Sequence, residues 1–168
     1  MAFIQSIDTD DLTSPSSTRK YDLGAQYVDV TGSNAIKTEY VYIKSHGALT
    51  QYQPYQVSAL NTAGSEVVTK ASATTDSGAT IVAPQGAVTS GYYCWAPYKG
   101  IVTVKTTDTF AAADYAEVLN AGTGLKLDGG SSGSTAEGAQ SVGIATGATS
   151  GGSATVLLSG NKVKIAAS

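Results

Sequence analysis

The only histidine, His46, stands in Lys44-Ser45-His46-Gly47, and the only cysteine, Cys94, stands between Tyr93 and Trp95. A histidine base acting on a serine or cysteine nucleophile needs a third group, usually an acid, to orient its ring. Ser45, Cys94 and Asp22 would have to fill those roles, and none lies in a motif that joins it to the others. His46 therefore reads as a surface turn residue, and Cys94 as a small buried hydrophobe in an aromatic strand. One His and one Cys do not make a zinc site. Asp8, Asp10 and Asp11 are spaced like the start of a calcium loop, but the Gly and bidentate Glu required further on are missing. They read as solvated acids. Gly122-Thr123-Gly124 neither continues as G-x-G-x-x-G nor opens a helix after a buried strand, so it is a turn and not a phosphate cradle. The expectation is a protein that is not an enzyme, with no catalytic, metal or cofactor-binding residues and no cofactor.

The aromatic residues offer a different kind of chemistry. Residues 90–130 hold the only Trp, the only Cys and four of the ten Tyr. Tyr and Trp combine apolar area with one polar group, which suits cores, protein interfaces and sugar-stacking platforms. Tyr40, Tyr42, Tyr92, Tyr93, Trp95 and Tyr98 are the candidates for a core or an oligomer interface, with a ligand platform as the other use.

The elements that must hold them are strands. In residues 39–44, Val41 and Ile43 share one face while Tyr40 and Tyr42 share the other. Further strands are expected at 26–30, 55–60, 65–71, 79–82, 92–96, 101–106, 115–120, 141–146, 154–159 and 162–166. Gly, Pro, Asn or Asp stands in most gaps, as in the turn at Thr31-Gly32-Ser33-Asn34. A helix over 110–119, capped by Asp108, competes with the strand there. This cadence predicts an all-β fold, a compact barrel or sandwich-like body with at most one short helix. Residues 1–20 read as an extended N-terminal arm with Phe3, Ile4 and Ile7 at its tip. Residues 21–168 read as one β-rich domain with a flexible Gly/Ser loop at 128–139. Twenty extended residues reach about 66–72 Å, enough to cross onto a neighbouring subunit.

Composition narrows the partners. Charged residues make up 14% of the chain, against roughly 25% in ordinary soluble domains, so the surface is only weakly guarded against association. A net charge of −3 with dispersed cations argues against nucleic acid. No run reaches the ~18 apolar residues of a membrane span, and the N-terminus lacks the pattern of a secretory signal.

Several stretches resemble the head decoration, or capsid cement, proteins of tailed phages. These are Lys20-Tyr21-Asp22-Leu23-Gly24, residues 39–50, Ser90-Gly91-Tyr92-Tyr93-Cys94-Trp95, Gly100-Ile101-Val102-Thr103-Val104, Ser141-Val142-Gly143-Ile144-Ala145 and Ala154-Thr155-Val156-Leu157-Leu158. The resemblance implies a structural protein, made in the host cytoplasm, that sits as a homotrimer on the outer surface of the phage head. There it clamps neighbouring copies of the major capsid protein. On that account Phe3, Ile4, Ile7, Tyr21 and Leu23 are the capsid-contact candidates. A tail or fibre component and a carbohydrate-binding β-module are the alternatives.

Overall fold

The computed structural model describes residues 7–30, 37–57, 67–70, 80–106, 109, 111–113, 115–118, 125–127 and 140–164. Phe3, Ile4, the turn at 31–34 and the loop at 128–139 lie outside the described residues. Ten strands and one five-residue helix are described, so the chain is mostly β. The helix is α1 (Thr9–Thr13), and the strands are β1 (Gln26–Asp29), β2 (Thr38–Ser45), β3 (Tyr55–Val57), β4 (Val67–Lys70), β5 (Ile81–Val82), β6 (Tyr93–Lys105), β7 (Tyr115–Val118), β8 (Leu125–Leu127), β9 (Gln140–Ala145) and β10 (Ser153–Lys164). The short helix falls in the N-terminal segment, and residues 115–118 are strand.

The strands pair in the order β5-β3-β4-β2-β6-β10-β9-β7-β8, with β1 added to β2. All pairs are antiparallel except β2 with β4. The expected barrel is not closed: the path is open, and no ladder joins its ends among the described residues. Beside β5, Ala83 N–H donates to the Pro97 carbonyl of β6 at 3.1 Å. Pro97 has no N–H to return, so at this residue the contact is one-way.

Two pairs of expected strands are each one strand. Residues 92–96 and 101–106 merge in β6, and 154–159 and 162–166 merge in β10. Pro97-Tyr98-Lys99-Gly100 reads as a turn, but a register shift between β2 and β6 absorbs the extra residue, as a β-bulge does. Gly100 carries the chain through at φ +105°. A larger shift interrupts the β10–β9 ladder between Leu158 and Val163, around Gly160-Asn161.

The period-2 alternation then sorts the interior. Val41 and Ile43 of β2 and Cys94 and Ala96 of β6 pack with Leu49, Tyr55, Val82 and Val88. Val102 and Val104 of β6 pack with Ala154, Val156 and Leu158 of β10, Ala145 of β9, Ala116 of β7, and Ile81 and Ala83. One strand, β6, thus serves two apolar clusters. On the face of β6 opposite that second cluster, Leu157 of β10 lies between Ile101 of β6 and Ile144 of β9 in cross-strand register. Ile144 is 40% exposed, and Ile101 and Leu157 are half-buried.

Candidate functional site

The aromatic residues converge on the other face of β2 and β6. Tyr42 is directly opposite Trp95 in the ladder, and Tyr27 of β1 is opposite Tyr40. The Trp95 ring lies 5.1 Å from Tyr42 and 6.3 Å from Tyr27, centroid to centroid. Tyr93 stacks on Tyr42 at 6.1 Å and carries the Lys44 ammonium 5.5 Å above its ring. Trp95 and Tyr42 are each 2% exposed.

What buries them is the N-terminal segment. Asp8 caps α1 with its carboxylate, accepting from Asp10 N–H at 3.1 Å. The chain then pairs with β6 at one point: Ser16 N–H donates to the Tyr93 carbonyl at 2.9 Å and Tyr93 N–H returns to Ser16 at 2.8 Å. Lys20 N–H donates to the Tyr42 hydroxyl at 3.1 Å. The Tyr21 ring comes 5.2 Å from both Tyr42 and Trp95. Ile7, Leu12, Tyr21 and Leu23 complete the cover over Ala25, Tyr42 and Trp95. The described part of the expected arm is therefore a cap seated on its own sheet.

The cap is tied to itself as well. The Asp11 carboxylate accepts from the Lys20 ammonium and, at 2.8 Å, from the Tyr21 hydroxyl. Arg19 pairs with Asp22 at 2.7 Å. The Lys20 bond holds Asp11 below the usual carboxylate range against a smaller effect of burial. The bond to Asp11, with burial, pushes the Tyr21 hydroxyl up to about 12, and the same pairing raises Lys20. Both signs give a pH window. A depressed Asp11 adds stability above its ordinary value of 3.8 and loses it as pH falls through the folded value. A raised Tyr21 adds stability below its ordinary value of 10.0 and loses it on the way to about 12. Trp95 emission should therefore shift red at both extremes, before far-UV circular dichroism reports loss of strand. A Trp95 signal that moves only together with the sheet would mean that these groups do not hold the cap.

Of the expected site residues, Ile7, Tyr21 and Leu23 thus meet their own chain. Tyr40, Tyr42, Tyr93 and Trp95 gather beneath them, while Tyr92 and Tyr98 pack against the Val41/Ile43 cluster on the opposite face. Tyr98 also donates to Glu39 at 2.7 Å, beside the Lys99–Glu39 ion pair at 2.8 Å. The residues that could have made a nucleophilic site stay apart. Ser45 donates its hydroxyl to the Thr89 and Tyr92 carbonyls, and Asp22 belongs to the cap. Burial pushes the Cys94 thiol up to about 12, so it is protonated at neutral pH. Among the described residues no three His, Cys, Asp or Glu side chains are placed to hold a metal ion. Sequence reasoning missed Leu12 and the Asp11–Lys20–Tyr21 knot; Asp11 and Lys20 lie nine positions apart and follow no helical or strand period.

Fold and site together define a mostly antiparallel β-sheet protein whose one concentrated aromatic face is covered by its own N-terminal cap. No known family profile matches the chain, and no curated protein sequence matches it.

Proposed function

We propose that this chain is a non-enzymatic structural protein of a tailed-phage particle. In this reading it is a capsid decoration protein that sits as a homotrimer on the outer head surface and clamps adjacent major capsid subunits. The observation that carries the assembly role is the aliphatic row Ile101–Leu157–Ile144 on the solvent side of β6, β10 and β9. A flat cross-strand row of this kind suits adhesion to another protein surface better than capture of a small ligand. The resemblance of the strand sequences to decoration proteins supplies the particle. Repeated copies on a shell would convert a modest contact into firm attachment.

The carbohydrate reading draws less support, because Trp95 is under the cap and 2% exposed. The tail or fibre reading differs chiefly in copy number. Quantifying the chain against the major capsid protein in purified virions is expected to give a large fixed ratio. A handful of copies per particle would move the protein to the tail or neck, and its absence would overturn the virion role.

A further inference from the structure

We propose that residues 7–22 are a detachable cap, and that copies of this chain exchange caps so that each covers the aromatic face of another copy. The inference concerns the isolated protein and stands apart from the particle reading.

The cap is a unit in its own right. Asp8 caps its helix, Asp11 ties Lys20 and Tyr21, and Arg19 ties Asp22, all within residues 8–22. Its attachment to the body is that of a bound peptide. Two backbone hydrogen bonds join Ser16 to Tyr93, one joins Lys20 to the Tyr42 hydroxyl, and Ile7, Leu12 and Tyr21 rest on Tyr42 and Trp95. None of these contacts depends on both partners belonging to one chain.

The link between cap and body is a single tight turn. Ala25 N–H donates to the Asp22 carbonyl at 3.0 Å, and Gly24 sits at φ +79°, the third position of a turn that wants glycine there. On the body side the chain is already fixed, because Gly24 N–H donates to the Tyr42 carbonyl and Tyr42 N–H to the Ala25 carbonyl, both at 2.9 Å. Straightening residues 22–24 therefore releases the cap while leaving β1 and β2 paired. A compact unit on a short hinge loop is the arrangement that exchanges between copies at low cost, since the exchanged form gives up only the turn, the Leu23 packing and the Gly24 bond to Tyr42.

Hydrogen bonding beneath the cap is incomplete among the described residues. The Trp95 indole Nε1–H is buried with no acceptor among the described residues. The space lined by Trp95, Asp11, Ser14, Ser16 and Lys20 is too narrow for a water molecule. A lifted cap rehydrates that N–H, which lowers the barrier to exchange.

The test uses full-length chains carrying Cys94→Ser. Ser16 and Tyr93 face each other as a hydrogen-bonded antiparallel pair, whose Cα atoms stand about 5.5 Å apart, within reach of a disulfide. One preparation carries Ser16→Cys and the other Tyr93→Cys, and the two are mixed and oxidised. Exchange predicts a covalent dimer containing one chain of each kind, in a yield that rises with concentration. Gly24→Val, which disfavours the closed turn, should raise the oligomer fraction about ten-fold in light scattering, with Trp95 emission still that of a buried ring. Should Tyr93→Cys fail to fold, the Gly24→Val measurement decides alone. Failure of the mixed disulfide to form between folded chains, or Gly24→Val oligomers with an exposed Trp95, would overturn the proposal.

Discussion

Trp95→Ala is expected to lower the thermal midpoint by roughly 6–20 °C, the largest effect of any single truncation in the capped half. Truncating a fully buried Trp costs about 3–5 kcal/mol, and a chain of this size loses about 2–4 °C per kcal/mol. Trp95 is 2% exposed and is the hub on which Tyr21, Tyr27 and Tyr42 all converge, so the hole cannot be refilled without moving the cap. Trp95→Phe should be far milder, within about 2 kcal/mol, because it keeps an aromatic ring and removes the N–H that has no acceptor among the described residues. Circular dichroism melts of the two variants give the comparison. If Trp95→Ala melts within 2 °C of the parent, the cap is not seated as described.

Gly100→Ala should be comparably damaging, although it adds only one methyl group. At φ +105° an L-residue is strained whatever space surrounds it. Here the space is also taken: a Cβ would lie 2.6 Å from the Lys37 carbonyl oxygen and 2.8 Å from the Thr38 Cα. Strain of about 1–3 kcal/mol adds to overpacking of about 1–3 kcal/mol, a total of about 2–6 kcal/mol. Backbone atoms cannot swing aside as a side chain can, so relief requires β6 to move away from the start of β2. Gly47→Ala is the control, since nothing lies within 4 Å of its Cβ position. Denaturant midpoints should fall sharply for the first variant and stay near the parent for the second. Equal midpoints for the two would mean that β6 does not bend at Gly100 as described.

Much of the fold is legible in the sequence where one physical rule acts alone. The alternation in residues 39–44 assigns Tyr40 and Tyr42 to one face and Val41 and Ile43 to the other, and the packing follows it. The same rule separates Tyr92 from Tyr93, neighbours in sequence that face opposite ways. Legibility ends where punctuation is ambiguous. Pro97 and Gly100 look like a turn, and only the partner strand reveals that they bend a continuous strand. It ends again at the cap. Ile7 and Leu12 form no period with anything nearby, and what holds them is a pair of strands that begin at Thr38 and Tyr93. Long-range contacts of that kind leave no local trace.

The continuity of β6 has a mechanical consequence. Its first half is zipped to β2 from Tyr93 to Lys99, and its second half to β10 from Lys99 to Lys105. Tension applied between the β2 and β10 sides is therefore handed from one ladder to the other through covalent backbone, without crossing a loop. Each ladder meets a load along the strands in shear, where its hydrogen bonds share the force instead of opening one by one. Under such a load the hydrogen bonds of the two ladders give before the backbone that joins them beside Gly100.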